Sequence, residues 1–165
     1  MRFWDSSAIV PLLVDEPATP APGLVGLLER DPAIAAWWGT PVECVSAITR
    51  REREGRISPA DASRAIGRLR LLSESWNEVI ASEPVRQTAT RLLRVHSLRA
   101  ADSLQLAAAI VVADGSPDSL PFVCLDDRLA VAAGREGFAV LSGSEERDPD
   151  QRPESSSKSR IIGIM

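Results

Sequence analysis

The chain has 165 residues, of which 44% are hydrophobic, and this size and composition suit one domain with a sizeable core. Its formal net charge of -4 argues against a protein that binds nucleic acid through an overall basic surface. Cys44 and Cys124 are the only cysteines. Two are too few for a disulfide framework and lack a metal-ligand spacing, so we expect both to be small apolar core residues.

The N-terminal sequence lacks the pattern of a signal peptide, because Asp5 interrupts the apolar residues at once. The longest apolar stretch, residues 104–113, is far shorter than the roughly 20 residues that a membrane helix needs. We therefore expect a cytoplasmic protein that makes no contact with a membrane.

Short apolar runs alternate with amphipathic segments along the first half of the chain. The predicted strands are residues 2–4, 33–38 and 78–82, and the predicted helices begin near residue 6 and cover 24–30, 40–53 and 58–75. Residues 17–23, PATPAPG, predict a break in which helix is disfavoured. Ser58 is expected to cap the helix that Pro59 opens.

The second half of the chain continues this alternation. We predict helices over residues 83–96, from 98 through the apolar stretch, and over 126–137, with strands at 121–125 and 138–141. Strands that alternate with helices indicate an α/β domain with a mainly parallel sheet. Residues 1–143 are expected to form this domain. Residues 144–165 begin with a polar stretch rich in proline and serine, and we expect them to be a disordered tail.

Four acidic residues fall where predicted helices begin: Asp5, Glu43, Asp102 and Asp126. In a parallel sheet, helices begin near the carboxyl edge of the strands, where ligands bind. Each acid alone can be explained as a cap or as a partner of the helix dipole, and Glu43 fits a capping box with Thr40. Together, like charges in partly apolar surroundings repel unless a proton or a divalent cation neutralises them. Mg²⁺ prefers carboxylate oxygens, so the pattern predicts a magnesium site at this edge.

Four segments resemble the successive motifs of PIN domains and, more narrowly, of VapC-type toxins from toxin–antitoxin pairs: FWDSSAIVPLL, PVECVSAITRREREGRIS, HSLRAADSLQLAAAI and FVCLDDRLAVAAGREGFAVL. The resemblance runs from about Arg2 to Leu141. It implies a three-layer α/β/α fold with a mainly parallel central sheet and a ribonuclease activity that depends on Mg²⁺ or Mn²⁺. It also implies a homodimer and a VapB-type antitoxin that wraps and inhibits the enzyme.

The resemblance also assigns roles to the four acids. It implies that Asp5 and Asp102 are metal ligands, and that Glu43 and Asp126 bind a second ion or act through water to position the nucleophile. We prefer Asp126 to its neighbour Asp127 because it comes closer to the predicted strand end. Cys124 departs from the Thr or Ser that such toxins often have, so a hydroxyl that helps to hold metal-bound water is absent.

Arginines and a serine near the acids are the candidate contacts for RNA. Ser7 can bond Asp5, a phosphate or only the backbone of its helix. Arg99, like Arg91 and Arg94, lies near the third acid in sequence, and guanidinium groups bind phosphates with two hydrogen bonds. The segment RREREGR at 50–56 is also basic, but its glutamates favour a solvated helix end.

Two further residue types suggest chemistry but have simpler explanations. His96, the single histidine, is expected to pack between two helices, because metal-activated water needs no imidazole. At least one of Trp37 and Trp38 is expected in the core, which leaves the other for base stacking. The sequence leaves open which RNA is cut and whether one metal ion or two act.

Two rival functions fit parts of the pattern. A phosphatase of the haloacid dehalogenase type also has an Asp after its first strand, but it wants a second acid where Ser7 stands. It also uses a lysine, and the only one here, Lys158, lies in the tail. The other rival is a PIN-like scaffold that only binds a partner protein, a reading that Cys124 keeps open.

Overall fold

The protein is described here from a computed structural model, which defines residues 1–15 and 21–143. The strands are β1 (Arg2–Trp4), β2 (Ile34–Trp37), β3 (Asn77–Val79), β4 (Phe122–Val123) and β5 (Val140–Leu141). They form one sheet in the order β3-β2-β1-β4-β5, and every neighbouring pair is parallel. The prediction of a parallel α/β sheet is confirmed.

The order of the strands places a crevice at the carboxyl end of β1. Phe3 pairs with Ala35 of β2 on one side and with Phe122 of β4 on the other. The chain therefore builds the sheet outward from β1 in both directions. In open α/β sheets, ligands bind at such a switch point, beyond the carboxyl ends of the strands.

Seven helices cover the two faces of the sheet in the described ranges. They are α1 (Ser6–Leu13), α2 (Ala21–Arg30), α3 (Thr40–Arg53), α4 (Pro59–Ser73), α5 (Glu83–Val95), α6 (Ala100–Val112) and α7 (Asp127–Arg135). Because side chains of a strand alternate between faces, Phe3 packs with α5, α6 and α7, whereas Trp4 packs with α1 to α4. The result is three layers, helices on either side of one sheet.

The helix bounds agree closely with the patterns in the sequence, with one clear correction. Helix α3 covers the predicted residues 40–53, and Ser58 caps α4 through a capping box with Asp61, directly before Pro59. Helix α2, however, begins at Ala21, so residues 21–23 are helical although a break was predicted there. Pro22 is tolerated because it lies in the first turn, where backbone N–H groups have no partner within the helix.

Several predictions concern residues beyond the described ones. The rest of the predicted break, residues 17–20, and the tail at 144–165 lie outside the described residues. The domain boundary after residue 143 therefore stays a prediction. Within 1–15 and 21–143, no helix combines the length and hydropathy that crossing a bilayer requires.

Candidate active site

Asp5 lies at the carboxyl end of β1 and is the N-cap of α1. Its carboxylate Oδ2 accepts a hydrogen bond of 2.9 Å from the backbone N–H of Ser7, and the residue is 3% exposed. Burial raises the pKa of this carboxyl, hydrogen bonds from Ser7 and the Ser6 backbone oppose that shift, and the charge of Asp102 raises it further. A cap therefore explains one bond of Asp5 but not why a charge is buried here.

Glu43 lies in the first turn of α3, after the carboxyl end of β2. Its Oε2 atom accepts hydrogen bonds from Ser6 Oγ at 2.9 Å and from Gln105 Nε2 at 3.0 Å. Partial burial raises the pKa of the Glu43 carboxyl, and these hydrogen bonds lower it. The charges of Asp5 and Asp102 raise it again, so all three carboxylates lie within electrostatic reach of one another.

Asp102 is half-buried in the first turn of the apolar helix α6, and its Oδ2 atom accepts from the backbone N–H of Arg99 at 3.3 Å. The helix dipole favours a negative charge at this position. The same charge acts unfavourably on Asp5 and Glu43, as their raised pKa values show. We call these three side chains, Asp5, Glu43 and Asp102, the carboxylate cluster.

Asp126 follows β4 and is exposed to solvent, unlike the three acids of the carboxylate cluster, which are buried or half-buried. It is the N-cap of α7, where its Oδ1 atom accepts from the backbone N–H of Leu129 at 2.9 Å. Its charge raises the pKa of the Cys124 thiol but is not among the influences on Asp5 or Glu43. Asp127, the first residue of α7, is also exposed.

The predicted capping box of Thr40 and Glu43 is wrong. Gly39 is the N-cap of α3 and makes no side-chain bond, while the fully buried Thr40 bonds the side chain of Gln105. The Thr40 side chain is engaged by Gln105, 65 positions later, and a Cβ atom at position 39 would lie 2.5 Å from Nε1 of Trp37. Only glycine fits against that indole, so the helix begins without a side-chain cap.

Sequence reasoning missed three polar residues that support the cluster: Ser6, Thr40 and Gln105. Gln105 is 0% exposed, and its Nε2 atom donates to Glu43 and, at 3.1 Å, to Thr40 Oγ1. One signal was present in the sequence. Gln105 is the single polar residue of the stretch 104–113, and it lies three positions after Asp102 on the same helix face.

Ser7 and Cys124 join the start of α1 to the end of β4. Ser7 Oγ accepts from the backbone N–H of Leu125 at 2.9 Å and lies 3.7 Å from Cys124 Sγ. The thiol lies 3.8 Å from Asp5 Oδ2, where it can act as a weak donor. Burial raises the pKa of this thiol, so it keeps its proton at neutral pH. Both cysteines are free and buried, as predicted.

The basic residues near α6 divide into two groups. Arg99 and Arg94 are exposed, and Arg99 is the N-cap of α6 beside Asp102. Arg91 was a candidate phosphate contact, but its guanidinium pairs with Glu136 at 2.6 Å, which engages it within the fold. His96 Nε2 lies 2.7 Å from the other oxygen of Glu136, and its side chain is 5% exposed, consistent with a packing role.

The two tryptophans also divide. Trp37 is buried at 6% exposure, and Trp38 is 55% exposed, their rings meeting edge to face at 6.3 Å between centroids. The prediction that at least one belongs to the core is confirmed. Trp38 lies in the turn that leads into α3, the helix that carries Glu43.

The chemistry of the carboxylate cluster suits a hard divalent cation. Among the described residues, no arginine, lysine or histidine forms an ion pair with any of the three acids. Within the same ranges, no three His, Cys, Asp or Glu side chains are placed to hold an ion together. Mg²⁺ needs only one or two carboxylates, because it keeps several of its waters. Two carboxylates are therefore enough to bind such an ion.

Solved structures with the same fold align over most of this chain. A toxin–antitoxin complex from Klebsiella pneumoniae has a TM-score of 0.59 at 15% sequence identity, covering 88% of this chain and 100% of that chain. FitAcB from Neisseria gonorrhoeae has a TM-score of 0.58 at 17% identity, covering 87% and 98%. PAE2754 from Pyrobaculum aerophilum has a TM-score of 0.58 at 22% identity, covering 84% and 81%.

A scan against protein-family models and a search of the curated proteins both gave no match. The structural matches nevertheless define the class of fold. The chain has a PIN-like α/β/α fold with an all-parallel five-stranded sheet, as the resemblance in its sequence implied.

Proposed function

We propose that this protein is a ribonuclease that depends on Mg²⁺ or Mn²⁺ and acts as the toxin of a type II toxin–antitoxin pair. The observation that carries the proposal is the carboxylate cluster, three acids within electrostatic reach of one another at the switch point of a PIN-like sheet. Burial raises the pKa of Asp5 and Glu43, and neighbouring negative charges raise it further, so their charged forms are unfavourable unless something positive binds beside them. A divalent cation meets that need and also binds phosphate.

Asp5 and Asp102 would hold the cation. When bound, it supplies an activated water and stabilises the charge that develops on the scissile phosphate. Glu43 Oε2 is occupied by two hydrogen bonds, so Oε1 is the atom available to bind a cation or to position the attacking water. Asp126 Oδ1 caps its helix, which leaves Oδ2 for a second cation or for water on the exposed side of the site.

Contacts to RNA are proposed for exposed side chains around the cluster. Arg99, beside Asp102, would bind a phosphate, and Trp38 would stack on a base. Ser7 is the weaker of the proposed substrate contacts, because its hydroxyl already bonds the Leu125 backbone.

The proposed partners are an antitoxin protein of the VapB type and a second copy of this chain. Support comes from a structural neighbour that was solved as a toxin–antitoxin complex. An antitoxin would neutralise the enzyme by covering the carboxylate cluster. The observation that tests this part is a stable complex between the purified chain and the product of the neighbouring reading frame.

The proposal is tested by incubating purified protein with RNA in Mg²⁺ or Mn²⁺, and in parallel with EDTA. We expect cleavage only with metal. Asp102→Asn keeps the volume and its bond to Arg99 while removing the charge, so we expect loss of cleavage with the fold retained. Asp118→Asn, an exposed acid in the turn before β4, is the matched control and should cut normally. Cleavage that persists in EDTA, or in Asp102→Asn at the normal rate, would overturn the proposal.

One observation favours a second candidate, a PIN-like scaffold without activity. Cys124 supplies a weak thiol donor at 3.8 Å from Asp5, where a hydroxyl would bond more strongly. Titration of the protein with Mn²⁺ by calorimetry separates the two functions. A scaffold would take up no Mn²⁺, whereas the enzyme would bind it in a way that Asp5→Asn abolishes.

A further inference from the structure

Gln105 is a polar side chain enclosed in the apolar helix α6, and it is 0% exposed. Burying an amide costs free energy unless its donors and acceptor are satisfied. Its Nε2 atom donates to Glu43 Oε2 at 3.0 Å and to Thr40 Oγ1 at 3.1 Å. Both N–H groups therefore have an assigned acceptor, and both acceptors lie on the first turn of α3.

The Glu43 carboxylate fixes which way the Gln105 amide points, and the Thr40 hydroxyl is compatible with that orientation. Thr40 is also 0% exposed, and its Oγ1 lies 3.4 Å from the Gln105 Oε1 atom as well as 3.1 Å from Nε2. This hydroxyl accepts from one end of the amide and can donate to the other. A flipped amide would place an oxygen against the Glu43 carboxylate, so the arrangement favours one orientation.

The two carboxylate oxygens of Glu43 differ in their hydrogen bonds. Oε2 accepts from Gln105 Nε2 and from Ser6 Oγ at 2.9 Å, while the described part of the chain offers no hydrogen bond to Oε1. Two donors thus hold one oxygen and leave the other for a ligand. A buried support of this kind is more than packing requires, because an apolar residue would fill the same volume without the cost of burying an amide.

We propose that Gln105 is a positioning residue that acts through Glu43: it holds Oε2 so that Oε1 is presented to the bound cation. The inference rests on the proposed function, because it requires a cation at the carboxylate cluster. Gln105 is not one of the acids, and Thr40 bonds its side chain. Its effect on cation binding passes through Glu43.

The test is a double-mutant cycle of Gln105→Met and Glu43→Gln, read out by Mn²⁺ binding in calorimetry. Methionine keeps the length of the side chain and removes both donors. Loss of a residue that orients a metal ligand commonly weakens binding by about 10-fold or more, and we expect that loss for Gln105→Met in the wild-type background. In the Glu43→Gln background we expect a change of less than about 2-fold, because coupled residues are not additive.

Two controls separate positioning from a general loss of structure. Gln87→Met removes an exposed amide that bonds Glu83 on α5, and it should bind Mn²⁺ like the wild type. The unfolding midpoint of each variant in EDTA reports stability without metal. If Gln105→Met does not fold, Thr40→Val removes only the hydroxyl that bonds the amide and should weaken binding by about 3-fold, again only when Glu43 is present.

The outcomes distinguish this inference from the proposed function. Wild-type protein that binds no Mn²⁺ overturns both. Wild-type protein that binds Mn²⁺, with Gln105→Met binding equally well or losing the same factor in the Glu43→Gln background, overturns the positioning role alone. A loss that appears only when Glu43 is intact supports it.

Discussion

Asp5→Asn is expected to change the stability of the protein in opposite directions with and without metal. The asparagine keeps the N-cap, because its side-chain oxygen can accept from the Ser7 backbone as Oδ2 does at 2.9 Å. What the substitution removes is a charge at 3% exposure that repels the other acids. The variant therefore separates the helix cap from the charge of the same residue.

In EDTA the variant should be the more stable protein. Taking an unpaired charge out of water costs several kcal/mol, of which the hydrogen bonds to Asp5 recover part, so we expect a gain of about 2 kcal/mol. For a domain of this size, that gain raises the midpoint of thermal unfolding by about 4–8 °C. Asp5→Ala also loses the helix cap, so its gain in the free energy of unfolding should be about 1 kcal/mol smaller.

With Mn²⁺ the order should reverse. A cation that binds only the folded protein at about 100 times its Kd adds about 2.7 kcal/mol to the wild type, and it adds nothing to a variant that lacks the ligand. Differential scanning fluorimetry of both proteins, with EDTA and with a series of Mn²⁺ concentrations, measures the concentration at which the wild type becomes the more stable of the two.

The pH dependence of the stability difference between the two proteins is an independent test. The folded pKa of Asp5 lies above its ordinary value of 3.8, so the cost of its charge is present at neutral pH. That cost falls as the pH drops through the folded pKa and is gone below 3.8, because the carboxyl is then protonated in both states. In EDTA the advantage of Asp5→Asn should shrink over this interval. A variant less stable than the wild type in EDTA, or equal shifts of both proteins by Mn²⁺, would refute the reasoning.

Three further predictions follow from other contacts. Cys124→Ser replaces a weak donor beside Asp5 by a stronger one, so we expect Mn²⁺ to bind about 3-fold more tightly in calorimetry, whereas weaker binding would contradict this role. Asp126→Asn keeps the cap on α7 and changes a solvent-exposed carboxyl, so it should weaken Mn²⁺ binding by less than about 3-fold and change the free energy of unfolding by less than about 0.5 kcal/mol. Glu136→Gln loses the carboxylate that bonds Arg91 and His96. Because solvent screens the half-exposed arginine, urea unfolding at neutral pH should show a free energy of unfolding lower by only about 1 kcal/mol. Because Arg91 holds the pKa of the Glu136 carboxyl below its usual 4.5, this difference should disappear as the pH falls below that value, and a difference that persisted would contradict the assignment.

Much of the fold could be predicted because its signals are local in the sequence. The apolar pattern of residues 40–53, the Ser58 cap with Pro59, and the alternation of strands and helices each depend on neighbouring residues. Parallel topology then places the helix starts at one edge of the sheet, which is how the acids were chosen. Asp102 is a partial exception, because α6 follows another helix rather than a strand, and only the structure shows that its charge reaches Asp5.

The parts that the sequence did not predict depend on contacts between distant residues. Gln105 bonds a glutamate 62 positions earlier, and Arg91 pairs with a glutamate 45 positions later. Thr40, which was predicted to cap α3, instead bonds Gln105, 65 positions later. The exposure of Asp126 follows from how α7 begins at the surface.

The most direct measurement is an anomalous difference map from crystals of the protein soaked in Mn²⁺. A single strong peak bonded to carboxylate oxygens of both Asp5 and Asp102, at about the 2.0–2.2 Å of a small divalent ion, is the result that our account of the site predicts. A peak elsewhere on the surface, or no peak at soaking concentrations that saturate binding in solution, would contradict it.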